Sequence, residues 1–210
     1  MTPTLYFLRS SEQYIVNRML PYAYRLDVLG KSLEDVPQLG IYKDFYGFTN
    51  KDLGLYAMVE HEMAGAIWSR KMQVEHRCQA FIDEQTPVIS MAVLPKFQKQ
   101  GIASAMLEQF LQEACVLYKQ VSVSVVADSH AKKIYEKFGF ETVGENISAV
   151  DGSKTLTLLK TLEGTTLVRP SEGYDPTRWM DYICFAILYL AFFLYTIVMG
   201  SRTIGGKLHG

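Results

Sequence analysis

The sequence has no excess of positive charge. Its 210 residues carry 21 Lys and Arg against 22 Asp and Glu, giving a formal net charge of -1 at pH 7. Proteins that hold nucleic acid through its phosphates need a basic face or a Lys/Arg run. Neither is visible along the chain. We therefore expect no nucleic-acid partner.

Cysteine is scarce, and histidine has no metal-ligand spacing. The three cysteines are far apart: Cys78, Cys115 and Cys184. An odd number without a Cys-x-x-Cys pair excludes a disulfide framework and a cysteine metal site. The four histidines are His61, His76, His130 and His209. We interpret them as solvated or hydrogen-bonded side chains, and we expect no metal. The scarce, widely spaced cysteines fit a reducing compartment best, and the N-terminus shows no secretory signal.

Two glycine-rich nucleotide motifs are also missing. There is no Gly-x-x-x-x-Gly-Lys-Ser/Thr run for a nucleoside triphosphate and no Gly-x-Gly-x-x-Gly for a dinucleotide. The sequence instead places one glycine, Gly101, between the apolar run 88–94 and a helical pattern that begins at Ile102. A glycine there lets the backbone approach a ligand closely, and the free N–H groups of a helix start favour an anion. This pattern predicts a phosphate-binding turn.

Apolar periodicity predicts strands that alternate with helices. The predicted strands are 4–8, a hairpin over 55–70 broken at Glu62, 88–94, 121–126 and 140–143, with a further hairpin turn at Asp151-Gly152. The predicted helices open at Ser10, lie within 33–45, open at Ile102, and follow Asp128-Ser129, whose oxygens are the expected N-cap. Gly139 should end the last helix. This order indicates an α/β (α+β) class with a mixed, largely antiparallel central sheet flanked by helices.

Two segments together resemble the signatures of the GNAT superfamily of N-acetyltransferases. Gln98-Lys99-Gln100-Gly101-Ile102-Ala103 is similar to its acetyl-CoA motif, Gln/Arg-x-x-Gly-x-Gly/Ala. Further on, ADSHAKKIYEKFGF resembles its second signature through Ala131, Ile134, Tyr135, Gly139 and Phe140. The similarity covers about residues 4–160. It implies the GNAT-like acyl-CoA-binding fold over a domain 1–160, with acetyl-CoA as co-substrate.

The resemblance also implies where the cofactor binds. Backbone N–H groups from Gln98 to Ser104 would hold the pyrophosphate, and the backbone near Val93 and Leu94 would pair with the pantetheine amides. Ser129 replaces the asparagine that relatives most often carry. The implied cofactor-binding residues are Val93, Leu94, Gln98, Lys99, Gln100, Gly101, Ile102, Ala103, Ser104, Ser129 and Tyr135.

Two catalytic roles follow from the same resemblance. Tyr135 occupies the place of the tyrosine that protonates the departing coenzyme A thiolate, although a tyrosine on an apolar stripe can also be core packing. Relatives often carry a carboxylate on the strand before the phosphate loop, and 88–92 has none. The candidate general bases are Glu60 and Glu84 first, then Glu62 and Asp83.

Nineteen uncharged residues near the C-terminus, Tyr182 to Gly200, read YICFAILYLAFFLYTIVMG. A helix of that length is ~28 Å long, close to the ~30 Å hydrocarbon core of a bilayer. We predict a linker at 161–179, a transmembrane helix at 180–200 and a short tail at 201–210. The alternative is a buried or oligomer-forming helix. Use of acetyl-CoA implies that the anchor leaves the catalytic domain in the cytoplasm.

The sequence therefore predicts a membrane-anchored N-acetyltransferase. It would move an acetyl group from acetyl-CoA to the primary amine of a small molecule or peptide, by direct attack in a ternary complex. Two alternatives remain open at this point: a catalytically silent acyl-CoA sensor, and a membrane adaptor whose soluble domain binds another protein.

Overall fold

Seven strands form one sheet in the order β1-β2-β3-β4-β5-β7-β6. They are β1 Thr4–Phe7, β2 Leu53–Val59, β3 Glu62–Arg70, β4 Val88–Val93, β5 Gln120–Val126, β6 Glu141–Ile147 and β7 Lys154–Thr161. All neighbours pair antiparallel except β4 and β5, which are parallel. This computed structural model describes residues 2–47 and 52–162. The mixed, largely antiparallel sheet that the sequence predicts is confirmed.

Helices cover both faces of the sheet. They are α1 Gln13–Ala23, α2 Leu26–Leu29, α3 Ile102–Leu117 and α4 His130–Lys137. On one face, α3 buries Met106 and Phe110, both 0% exposed, in a core that also contains Tyr135 of α4. Burial of such side chains stabilises the fold by about 1.5–3 kcal/mol each. On the other face, α1 buries Val16 and Met19 in a second core. We call these the α3 face and the α1 face.

Side chains of β4 alternate between the two cores, as a strand buried on both sides requires. Met91 and Val93 pack against the α3-face core, whereas Val88 and Ala92 belong to the α1-face core. This explains why the run 88–94 is apolar without alternation. It also means that a gap beside β4 can be reached from both faces.

The parallel strands β4 and β5 are joined at one end only. Their register contains a single pair, Val88 with Ser122, and the Ser122 amide donates to the carbonyl of Pro87 at 3.0 Å. Beyond this pair the described strands form no ladder with each other. The strands therefore part toward Val93 and Val126 and leave a cleft in the middle of the sheet.

The less regular helical region predicted within 33–45 is confirmed as a 3-10 helix at Pro37–Tyr42, since Pro37 suits only a helix start and Gly40 favours helix poorly. Two other local predictions need correction. The first hairpin turns at Glu60 and His61, whose φ values are 47° and 67°, and not at Glu62. Ser129 is at the N-cap position of α4, as predicted, but its side chain makes no cap hydrogen bond.

The predicted transmembrane helix at 180–200 lies outside the described residues, as do most of the linker and the whole tail. Within 2–47 and 52–162, no helix is long and apolar enough to cross a membrane.

Candidate active site

A cavity of about 720 Å³ occupies the cleft between β4 and β5. From the α3 face it is lined by Ile102, Ala103, Ile134 and Tyr135. From the α1 face it is lined by Tyr22, Tyr24 and Val150. Residues 89–93 and 123–126 form its two walls. The cavity is thus lined from both faces of the sheet.

The backbone of β4 faces this cavity at alternate residues. The Leu94 amide donates to the carbonyl of Ala64 at 2.8 Å, and antiparallel pairs alternate between bonded and non-bonded. Val93 and Met91 therefore direct their N–H and C=O groups away from β3, toward the cleft. Leu94 does not: its carbonyl accepts from the Phe97 amide at 2.9 Å, and Leu94 is absent from the cavity wall. Nothing in the cavity wall supports the assignment of Leu94 to the cofactor site, which stays a prediction.

The turn between β4 and α3 presents free amides to the cavity. Gly101 has φ 80°, a left-handed conformation that favours glycine, and it is the N-cap of α3. The first amide that bonds back into the helix is that of Ala105, to the Gly101 carbonyl at 3.0 Å. The amides from Gly101 to Ser104 are the unpaired N–H groups of a helix start. Free amides at the positive end of a helix dipole favour an anion, so this turn is a candidate anion site.

Two glutamines of this turn differ from the prediction. The Gln98 amide already donates to the Pro95 carbonyl at 3.3 Å, so it is not free for a phosphate. Its side chain lines the cavity and donates to the Val93 carbonyl at 3.2 Å. Gln100 does not line the cavity; its side chain donates to the Lys96 carbonyl at 3.1 Å. The assignment of Gln100 to the cofactor site is therefore not supported, and for Gln98 the structure favours a contact through the side chain rather than the amide.

Ser129 carries an unsatisfied hydroxyl at the cavity wall. Its Oγ is buried and has no hydrogen-bond partner, while its amide donates to the Val126 carbonyl at 3.0 Å. A buried polar atom without a partner costs about 1–3 kcal/mol, so it needs an explanation. Because the hydroxyl does not cap α4, a ligand in the cavity is the partner that would satisfy it.

Tyr135 is buried, at 3% exposed, and lines the cavity. Its ring meets Phe140 edge to face, with centroids 5.1 Å apart at 72°. No described residue forms a hydrogen bond with its hydroxyl. Burial raises the pKa of Tyr135 above the ordinary value, because the charged phenolate would lose its hydration. The hydroxyl is therefore held in its protonated form, as a proton donor must be.

The structure places the predicted general bases away from this cavity. Glu84 precedes β4, and that strand spans about 17 Å before it reaches Val93. Asp83, its neighbour, accepts from Thr86 in its own turn. Glu60 lies at the tip of the β2–β3 hairpin, beside a separate shallow pocket. Glu62 forms an exposed ion pair with Lys96. None of the four carboxylates lines the cavity, so the assignment of Glu84 and Glu60 as bases is not supported.

Sequence reasoning missed the polar groups on the α1 face of the cavity. They include Tyr22, Tyr24, Arg25, Ser90 and Asp151, and His130 of α4 lines the cavity as well. Ser90 is 5% exposed, and its Oγ has no hydrogen-bond partner. Burial raises the pKa of Tyr24 well above the ordinary value. These residues come from the end of α1, from β4, from α4 and from the β6–β7 turn, so no local motif connects them in the sequence.

The family model of the acetyltransferase (GNAT) domain matches residues 49–162. The chain belongs to the GNAT acetyltransferase family. It is therefore an acetyl-CoA-dependent acyltransferase, and acetyl transfer is its general reaction. No curated protein matches the sequence.

Solved GNAT structures share the fold. A phosphinothricin acetyltransferase (Pat) from Sinorhizobium meliloti, in complex with AcCoA, has a TM-score of 0.56 at 18% identity and covers 84% of this chain and 97% of its own. The structure of yncA from Salmonella typhimurium with acetyl-CoA has a TM-score of 0.57 at 13% identity, over 78% and 95%. The ribosomal-protein-S18-alanine N-acetyltransferase from Escherichia coli has 0.51 at 13%, over 79% and 99%. At these identities the likeness shows the fold.

Proposed function

We propose that this GNAT enzyme acetylates the primary amine of a small molecule or peptide by direct attack in a ternary complex. The observation that carries the proposal is the cavity between β4 and β5, which is lined from both faces of the sheet. The α3 face has the helix start and the buried tyrosine. The α1 face has the polar side chains. A cofactor and an amine can therefore meet in the cleft from opposite sides.

The α3 face fits acetyl-CoA on three grounds of its own. The free amides from Gly101 to Ser104 match a pyrophosphate. The outward N–H and C=O groups of Val93 match the pantetheine amides, as an added strand would. The buried Ser129 hydroxyl, which has no partner, gains one when the cleft is filled. When bound, acetyl-CoA supplies the activated acetyl group.

The residues of this chain have two tasks in the reaction. As the amine nitrogen forms its bond to the acyl carbon, a second cleft-facing N–H of β4 near Val93, such as that of Met91, would stabilise the negative charge on the thioester oxygen. As the carbon–sulfur bond breaks, Tyr135 donates its proton to the sulfur. The proton lost from the amine passes to water. Solvent then returns a proton to Tyr135, so protons and charge balance.

The neutral amine is the most demanding requirement. At pH 7, deprotonating a lysine-like ammonium with a pKa of about 10.4 costs about 4–5 kcal/mol, whereas an α-amino group near 8 costs about 1 kcal/mol. With Glu60 and Glu84 outside the cavity, an acceptor of lower pKa is favoured. The names of the neighbours include an acetyltransferase of alanine on ribosomal protein S18 and one of phosphinothricin. A protein and a small molecule both remain within the proposed class.

Direct attack is favoured over an acetyl-enzyme by the side chains in the cleft. Among the described residues, no cysteine lines the cavity. Cys78 is buried in the α1-face core, where burial raises the pKa of its thiol and weakens it as a nucleophile.

Initial rates test the mechanism. Varying acetyl-CoA at several fixed amine concentrations should give intersecting reciprocal plots, and mass spectra of enzyme mixed with acetyl-CoA alone should show no added acetyl group. Parallel plots together with an acetylated enzyme would exclude direct attack. An unchanged melting temperature at millimolar acetyl-CoA would exclude the cofactor site itself, since ligand at ~100 times its Kd stabilises by about 2.7 kcal/mol.

The place of action is a separate proposal. The uncharged stretch 182–200 supports a membrane anchor, and the use of acetyl-CoA supports a catalytic domain in the cytoplasm. The domain limits at 160, 179 and 200 remain predictions from sequence.

A further inference from the structure

Two opposite charges stand at the α1 face of the cavity. Arg25 follows α1 and precedes α2, and Asp151 lies in the turn between β6 and β7. Both line the cavity. They come from parts of the chain more than a hundred residues apart, and the fold brings them to the same opening.

Neither charge is neutralised by a close ion pair. The ion pairs found among the described residues do not include Arg25 or Asp151. The positive charge of Arg25 is one of the causes that lower the pKa of Asp151. The two groups therefore interact electrostatically although they form no ion pair. A ligand that carries both an anion and a cation can satisfy the two at once.

The carboxylate of Asp151 is oriented and ionised, as a cation-binding group must be. Its Oδ1 accepts from the Ser153 hydroxyl at 2.7 Å and the Ser153 amide at 3.1 Å, which fixes the turn. Desolvation acts to raise the pKa of Asp151, but the hydrogen bonds from Ser153 and Ser148 outweigh it, and the pKa lies below its ordinary value. The carboxylate therefore stays ionised and is a better partner for an ammonium than a proton acceptor.

The remaining charge near this opening is positive. Lys31, just beyond α2, donates to the Val150 carbonyl next to Asp151. An acceptor with several ammonium groups would meet one carboxylate and two cations here, which is unfavourable. An acceptor with one ammonium and one acidic group would meet a partner for each. Arginine binds carboxylates well because its planar fork matches both oxygens.

We propose that the acetyl acceptor is a zwitterion of the amino-acid class, with its acidic group on Arg25 and its ammonium directed by Asp151 toward the cleft. This rests on the proposed acetyl transfer to an amine. Arg25 and Asp151 are specificity-determining residues for that reaction.

Matched acceptors test the charge requirement in the full chain. The twenty amino acids are screened first by thiol release from acetyl-CoA, together with a blocked peptide that ends in lysine. The best free acid is then compared with its amide and with the amine that lacks the carboxylate. We expect kcat/KM to be at least 10-fold higher for the acid than for either analogue. Preference for the lysine peptide over every free amino acid would overturn the assignment to the amino-acid class.

Variants locate the requirement. Arg25→Gln should raise KM at least 10-fold for the acid and leave the amide unchanged, while Asp151→Asn should raise KM for all three acceptors. Arg18→Gln, an exposed arginine outside the cavity, is the matched control and should change nothing. The stabilisation by acetyl-CoA should be the same in all of these proteins, which separates acceptor effects from misfolding.

The outcomes separate this inference from the proposed function. If amides or simple amines are acetylated as well as the acids, or Arg25→Gln affects all acceptors equally, the amino-acid class is wrong and amine acetylation stands. If no amine of any class releases thiol although acetyl-CoA stabilises the protein, the proposed function fails and this inference fails with it.

Discussion

At the scale of a residue, one oxygen atom separates the two roles open to Tyr135. Tyr135→Phe keeps the ring and its edge contact with Phe140, so packing and acetyl-CoA affinity should hardly change. General acid catalysis typically contributes 10² to 10⁴-fold, and kcat should fall within roughly that range. The melting temperature should not drop, since no described residue bonds the hydroxyl. Turnover and unfolding are measured on the same preparation.

Tyr46 offers a matched control for this substitution. It is 1% exposed, its hydroxyl also has no partner, and it does not line the cavity. Tyr46→Phe should therefore leave kcat unchanged. Turnover of Tyr135→Phe within a few-fold of the parent would mean that Tyr135 is only core packing.

The same tyrosine predicts the alkaline side of the pH profile. Burial raises the pKa of Tyr135 above the ordinary value of about 10, so the neutral phenol persists where a free tyrosine begins to ionise. We expect kcat to rise as the acceptor amine deprotonates and then to stay level up to pH 10. A decline that begins near pH 9 in the parent, but not in Tyr135→Phe, would indicate a phenol of ordinary pKa.

Gly101 tests the anion site without a steric clash inside the protein. A Cβ at Gly101 would meet no atom within 4 Å, so Gly101→Val costs mainly the strain of φ 80°, of about 1–2 kcal/mol. The valine side chain would occupy the space where the backbone must approach the phosphate. We therefore expect acetyl-CoA affinity to fall at least 100-fold. Isothermal titration at a temperature where the variant is folded measures it.

Gly30→Val is the matched control for that variant. Gly30 has φ 64° and equally open surroundings, but it ends α2 and does not line the cavity. The control should lose similar stability and keep its affinity for acetyl-CoA. Equal affinities of Gly101→Val and Gly30→Val for acetyl-CoA would mean that the pyrophosphate does not bind at this turn.

At the scale of elements, the open edges of β4 and β5 predict a pattern of amide protection. The Ala127 amide donates to Lys154 at 3.0 Å, so alternation directs Ser124 and Val126 toward the cleft, opposite Met91 and Val93. With acetyl-CoA at ~100 times its Kd, exchange of the bonded amides should slow up to about 100-fold. Hydrogen exchange read by NMR should show this at Val93.

The outer edge strand β6 is the internal reference for that experiment. Its residues are mostly exposed and lie beyond β7 from the cleft, so their exchange should not respond to the cofactor. Slowing in β6 equal to that at Val93 would indicate global stabilisation and would contradict pantetheine pairing along β4.

The elements also show what the sequence could and could not predict. Strong periodicity placed α3 and the strand at 88–94 within a residue or two, and Asp151-Gly152 placed the last hairpin. The parting of β4 from β5 left no local signal, because it depends on which strand pairs with β7. For the same reason the sequence did not predict the α1 face of the cavity, where Arg25 and Ser90 lie.

At the scale of the whole molecule, the cleft gives a reason for the order of the chain. The segments that follow β4 and β5 begin α3 and α4 on one face of the cavity, while the α1–α2 and β6–β7 connections supply its other face. In the proposed arrangement, each substrate is bound by its own pair of segments. We therefore expect that substitutions at Arg25 and Asp151 change acceptor preference without changing the cofactor turn.

The uncharged stretch 182–200 predicts, from sequence alone, that the full chain associates with membranes. The full-length protein should sediment with membranes, and a chain ending at Pro170 should stay in solution and bind acetyl-CoA with the same affinity. Leu190→Arg with Leu194→Arg is the control, because each arginine at the centre of a span costs about 2.5–3.5 kcal/mol and should release the protein.

Release by these arginines, but not by high salt or carbonate, would mark insertion rather than surface adsorption. Full-length protein that remains in the soluble fraction without detergent would leave the stretch as a helix that packs against protein. The acetyltransferase would then act away from membranes.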